Sequence, residues 1–156
     1  MIRVLFVCLG NICRSPMAEA IFRDLIKKEA LEQYITVDSA GTGSWHIGNP
    51  PHKGTRDILT QHHISYEGIQ ARQVNSGDFG HDNYIIAMDD QNISSLEAMQ
   101  KEKQNITIAK LLDFVDDVKD KNVPDPYFTG DFHHTYALVL AGCKNLLGHI
   151  KKKHQI

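Results

Sequence analysis

The chain has 156 residues, 42% of them apolar and 23% charged, which is the size and balance of one core-forming unit, so a single domain over 1–156 is expected. A formal net charge of −2 excludes the broad positive field of a protein whose main task is to hold nucleic acid, and any basic site must be local. Cys8, Cys13 and Cys143 are too few and too odd a set for a disulfide scaffold, no apolar run is long enough to span a membrane, and Met1 leads straight into a strand-like segment. A reducing, cytoplasmic setting is expected, with neither membrane nor nucleic acid as partner.

Ile2 to Cys8 reads IRVLFVC, an apolar run that ends at Gly and Asn, as a strand buried on both faces of a parallel sheet does. Ser15-Pro16 then reads as a helix N-cap and first helical residue, ahead of Met17, Ile21, Phe22, Leu25 and Ile26 at helical spacing. A second strand is predicted over Ile35–Ser39, a Gly-rich loop from Gly41 to Pro51, a helix near His52–His62 and an apolar strand at Tyr84–Met88. Beyond Asp89-Asp90 a helix carries Ile93, Leu96 and Met99, and Ile106–Leu112 resumes an extended run. The last element is the clearest: Phe132, Tyr136, Val139, Leu140, Cys143, Leu146, Leu147 and Ile150 form one apolar stripe on a long helix, with Lys151–Lys153 at its fraying end and Cys143 in the core. Strands alternating with helices imply a three-layer α/β fold, an open parallel sheet covered on both faces.

Residues 8 to 15 read Cys-Leu-Gly-Asn-Ile-Cys-Arg-Ser, a cysteine at a strand end and an arginine six positions on, where a helix begins. Such a loop, made of Leu9, Gly10, Asn11, Ile12, Cys13, Arg14 and Ser15, can turn its backbone N–H groups toward one centre and, with the helix dipole, bind an anion. Gly10 permits a sharp turn, and Asn11 tolerates a left-handed conformation. Arg14 can offer two parallel donors to two phosphate oxygens. The same field favours a thiolate at Cys8, so the loop that holds a phosphate also arms a nucleophile; the Ser15 hydroxyl can donate to the sulfur and improve it as a leaving group.

A thiolate that displaces a phenol or alcohol needs an acid, and Val123-Pro124-Asp125-Pro126-Tyr127-Phe128 supplies one. Two prolines stiffen the segment around Asp125, and Tyr127 with Phe128 offers aromatic walls for a phenyl ring. No metal is expected: His62-His63 and His133-His134 are adjacent pairs that cannot converge on one ion, and no Cys-x2-Cys spacing occurs.

Through VCLGNICRSPMAEA and DPYF the chain resembles the low-molecular-weight protein tyrosine phosphatases from residue 2 nearly to the C-terminus. The resemblance implies a four-stranded parallel sheet flanked by helices. It makes Cys8 the nucleophile, Arg14 the phosphate-binding arginine and Asp125 the general acid and then base, with a phosphocysteine intermediate and no cofactor. It places Asn11, Ser15 and Ser39 as supports of the loop, and Trp45, Tyr127 and Phe128 around the pocket mouth with Ile12. Phosphotyrosine proteins and small aryl phosphates are the implied substrates, phosphate and other oxyanions the competitive ligands. A reversible Cys8–Cys13 disulfide that shields the nucleophile is implied beside the plainer reading of Cys13 as a loop-filling residue.

Two departures stand out. Many members of that family carry a histidine two residues before Ala-Arg-Gln, where this chain has Ile69, so one support of the Asn11 network is expected to be missing or replaced. Phe128 stands where a second tyrosine is frequent. Among rivals, a protein arginine phosphatase typically has Thr at the position of Ile12, whose apolar bulk favours an aromatic substrate. A thioredoxin-coupled arsenate reductase needs two further cysteines, and only Cys143 is left over. A binding module that only reads phosphate would have no use for the braced Asp125.

Overall fold

Val, Leu and Phe at consecutive positions must be buried on both faces of a sheet, and Ile2–Cys8 forms β1 in its interior. The computed structural model describes residues 1–100 and 105–156. The further strands are β2 (Ile35–Gly41), β3 (Tyr84–Ala87) and β4 (Thr107–Lys110). All pairs are parallel and the order across the sheet is β2-β1-β3-β4, with Cys8 opposite Gly41 and Val4 opposite Tyr84.

Between the strands run α1 (Arg14–Lys28), α2 (Lys53–Gln61), a short α3 (Asp78–His81) and α4 (Asp90–Met99). A 3-10 turn (Leu111–Phe114), a single-turn α5 (Pro126–Thr129) and α6 (Phe132–His154) complete the chain. Side chains alternate across β1, so Val4, Phe6 and Cys8 join Met17 and Phe22 of α1 and Leu146 and Leu147 of α6 in the larger core. Leu5 and Val7 face the other layer, where Phe79 and Leu96 cover them. Three layers with a parallel sheet between them match the expected architecture.

The strand order decides where a ligand can sit. Chain connections leave β1 for α1 on one face and β3 for α4 on the other, so a crevice opens at the C-terminal ends of these two neighbours. Cys8 ends β1, and Asp89, the N-cap of α4, lies just beyond β3.

Three local readings are corrected. Ser15 is not the N-cap: the helix starts at Arg14 with Cys13 before it and no side-chain cap, because the Ser15 hydroxyl is engaged with Cys8 and Asn11. Pro16 is therefore the third helical residue, where its missing N–H is still one of the unpaired set. The extended run at Ile106–Leu112 ends at Lys110, since Leu111 and Leu112 turn inward as a 3-10 helix against α6. The short α3 and α5 carry no repeat of apolar residues long enough to announce themselves.

Candidate active site

From Cys8 the chain turns back over the end of β1. The left-handed residue of this turn is Asn11, at φ 56°, rather than Gly10. Gly10 serves a close approach instead, for a Cβ there would stand 3.2 Å from the His46 ring. The Asn11 N–H points at Cys8 Sγ from 3.3 Å, and the Ser15 hydroxyl lies 2.9 Å from the same sulfur. Cys8 is thus buried at the N-terminus of α1 with a backbone N–H and a hydroxyl aimed at its sulfur.

The Asn11 side chain fixes the direction of these bonds. Its Oδ1 accepts from the Arg72 N–H at 3.0 Å, so its amide nitrogen must face Ser15 and Ser39, and it donates to their hydroxyls at 2.7 and 3.0 Å. With a lone pair of Ser15 taken, that hydroxyl's proton is free for Cys8 Sγ. Ser39 in turn donates to Glu19 Oε1 at 2.6 Å. The network expected to lose a support at Ile69 is complete without a histidine: Ile69 packs into the core, and the Arg72 backbone and Glu19 hold the two ends.

Arg14 is 2% exposed, a buried guanidinium held from three directions. Its Nη1 donates to Asp89 Oδ2 at 2.7 Å and to the Val123 carbonyl at 2.9 Å, while Nη2 lies 3.4 Å from Asp125 Oδ2. Nε has no hydrogen-bond partner among the described residues. The Nε and Nη2 edge is the side-on face of the fork that grips two oxygens of an oxyanion. In the sequence Asp89 marks only the start of a helix. Its second task depends on β3 lying beside β1, which no local pattern reveals.

Asp125 caps α5 by accepting the Tyr127 N–H at 3.1 Å, with Pro126 as first helical residue. Its other oxygen faces Arg14 across the cup. The two segments that the sequence singled out, more than a hundred residues apart, therefore meet at one cavity of about 370 Å³. Cys8, Leu9, Gly10, Ile12, Cys13, Asp125, Trp45, Tyr127 and Phe128 line it, with His46, which sequence reasoning missed. Asn11, Arg14, Ser15 and Ser39 lie beneath, all buried. Trp45 and Phe128 are 70% and 76% exposed and form the rim, where Tyr127 meets Phe128 edge to face at 5.2 Å.

All three cysteines are free and buried. Burial first, and the neighbouring Cys8 second, push the Cys13 thiol up to about 12, so it stays protonated at neutral pH and does not compete as a nucleophile. Cys143 is wholly buried against the Ala18 carbonyl, as a core residue should be, and burial raises its thiol as well. Among the described residues no group of three or more His, Cys, Asp or Glu is placed to hold a metal ion, and no helix is long and apolar enough to cross a membrane.

A buried thiol with two donors aimed at it, a buried arginine and a carboxylate nearby, set at the switch point of a parallel sheet, define the class: an α/β protein whose cysteine-based cup has the chemistry to receive an anion. Residues 3–156 match the family model of the low molecular weight phosphotyrosine protein phosphatases. The low molecular weight protein-tyrosine-phosphatase YfkJ of Bacillus subtilis is 56% identical over 156 residues, all of both chains. Its crystal structure superposes with a TM-score of 0.95, covering 98% of this chain and 96% of that one. PtpA of Staphylococcus aureus, of the same description, is 43% identical over 152 residues, 97% of this chain and 96% of its own. The crystal structure of DARP, a Drosophila arginine phosphatase, is 37% identical with a TM-score of 0.88, covering 95% and 97%. The chain belongs to the low molecular weight phosphotyrosine protein phosphatase family.

Proposed function

We propose that this protein hydrolyses phosphotyrosine, and small aryl phosphates with it, through a phosphocysteine on Cys8. The observation that carries this reading is that Cys8 and Asp125 line one cavity while the buried Arg14 guanidinium lies 3.4 Å from Asp125 with its Nε unpaired among the described residues. The phosphoryl group sits on the loop N–H groups and the Arg14 fork. Cys8 Sγ attacks phosphorus in line, the bond from phosphorus to the phenolic oxygen breaks, and Asp125 gives its proton to that oxygen. Water then attacks phosphorus, Asp125 takes its proton, and the sulfur leaves with the Ser15 hydroxyl, 2.9 Å away, donating to it. Charge on the equatorial oxygens is met by donors already in place, which is where most of the rate enhancement resides.

Trp45, Tyr127 and Phe128 supply walls for a phenyl ring, and Ile12 lines the floor with an apolar surface. Phosphotyrosine proteins are the proposed substrates, and phosphate with other oxyanions the competing ligands of the same cup. A second reading, an arginine phosphatase, draws on the likeness to DARP. The apolar Ile12 favours the aromatic substrate over a guanidinium.

Rates on phosphotyrosine, phosphoserine and phosphoarginine peptides separate these readings, with strong preference expected for the first. Asp125→Asn should lower kcat on a poor-leaving-group aryl phosphate about 10²-fold or more. Cys8→Ser should abolish turnover while inorganic phosphate still binds. Undiminished turnover in either variant refutes the catalytic assignment, and equal rates on phosphoserine refute the aromatic pocket.

A further inference from the structure

Ser39 ends one branch of the network under the cup, and its proton has a single destination, Glu19 Oε1 at 2.6 Å. Glu19 lies on α1 one turn beyond Ser15, its side chain turned to β2 and only 9% exposed. The charged groups that face it are Asp38 on β2, Arg23 on α1 itself and Arg72 from the loop after α2. Neither arginine is free for it. Arg23 donates to the Ser65 and Glu67 carbonyls, and Arg72 is held by Asp38 and Asp78. No ion pair to Glu19 exists among the described residues, and Ile69 is an apolar, buried neighbour of the core. A buried carboxyl with one hydroxyl donor and no cation is more stable neutral than charged.

We infer that Glu19 is a positioning residue that keeps its proton, accepting from Ser39 as a neutral acid and so fixing the hydrogen-bond chain that ends on Cys8 Sγ. The inference rests on the reading of Cys8 as nucleophile. The direction of the chain leaves little freedom: Asn11 spends both amide hydrogens on Ser15 and Ser39, so each hydroxyl must send its own proton outward, one to sulfur and one to Glu19. A carbonyl oxygen at Glu19 completes this pattern without adding charge. Burial pushes the carboxyl up to about 7, Asp38 adds to the rise, and the Ser39 bond, Arg23 and Arg72 oppose it. When pH passes that value, an anion forms inside the same hydrogen-bonded cluster as Sγ. It opposes the charge of the thiolate and of a bound phosphate dianion, and turnover falls on the alkaline side for a reason separate from Asp125.

The test compares Glu19→Gln with the unaltered protein. Gln keeps the acceptor oxygen and cannot ionise. The ratio of kcat/KM, variant over unaltered, for an aryl phosphate should rise about fivefold between pH 6 and pH 8, the coupling expected of a charge a few hydrogen bonds away at an effective dielectric of about 20. Effects of Asp125 and of substrate ionisation are common to both proteins and cancel in the ratio. In parallel, carbon-detected NMR of labelled glutamate carboxyls should show one group titrating near neutrality, absent from Glu19→Gln. Glu19→Ala, which removes the acceptor altogether, should lower kcat more than KM, with Gln restoring it; if Ala does not fold, the Gln comparison decides alone. A flat ratio, or a Glu19 carboxyl that titrates with the exposed ones, overturns the inference. Absence of turnover by either protein at every pH is a different failure, that of the phosphatase reading on which the inference stands, and overturns both.

Discussion

The buried carboxyl of Glu19 makes folding itself pH-dependent, and the size of the effect follows from its surroundings. Burial lifts its pKa from the ordinary 4.5 to about 7, so between these values the folded chain holds a proton that the unfolded chain has released. The stability gained by keeping that proton is fully present below about 4.5 and is lost as pH rises through about 7. At about 1.4 kcal/mol for each factor of ten in proton affinity, the loss between pH 5 and pH 8 comes to about 2.5 kcal/mol. Glu19→Gln removes the ionisation and keeps the Ser39 bond, so its stability relative to the unaltered protein should rise by that amount over the interval. For a domain of this size the difference in Tm should grow by about 5–10 °C. Asp82, raised to about 6 chiefly by burial and then by Asp78, shifts both proteins alike and drops out of the comparison. Urea or thermal unfolding at pH 5 and pH 8 measures the difference directly. A difference that stays constant across that interval refutes the account of a neutral buried acid.

Arg14→Lys keeps the charge and loses the side-on donor edge, and kcat on an aryl phosphate should fall about 10²–10³-fold; a fall of less than about tenfold contradicts the role given to the fork. Gly142 packs so closely on the 3-10 turn that a Cβ would stand 2.4 Å from Leu111 Cγ. Gly142→Ala should therefore cost about 1–3 kcal/mol in urea unfolding, with little change in the activity of the folded fraction. Trp45 is the single tryptophan of the chain and sits at the rim, so inorganic phosphate should change its fluorescence saturably, and Arg14→Ala should abolish the response.

What the sequence revealed was what is local. The strand, loop and helix around Cys8 follow from six apolar residues in a run of seven, an Asn that accepts φ 56° and a helix that starts at the arginine. The long stripe of α6 and the braced Asp125 are equally self-contained signals. Hidden were the features set by strand order and layer packing. Asp89 reads as a cap, which it is, yet its other oxygen also holds Arg14 because β3 runs beside β1. Glu19, in the stretch Met-Ala-Glu-Ala, reads as a solvated charge until β2 is laid against α1. His46 reads as one of nine histidines until Gly10 is seen to leave room for its ring. The misplaced N-cap at Ser15 has the same origin: a hydroxyl that local rules assign to its own helix is claimed by a sulfur and an amide from the loop.

Arg14 draws its partners from positions 75, 109 and 111 residues further along the chain. A polypeptide emerging from the ribosome therefore cannot assemble the fork until just over four-fifths of it has been made, however early β1 and α1 take shape. Hydrolytic competence should then arrive late and all at once, so that turnover during refolding reports the closing of the whole molecule. By the same logic a single nick between β4 and α5 would disarm an enzyme whose nucleophile lies at the opposite end of the sequence.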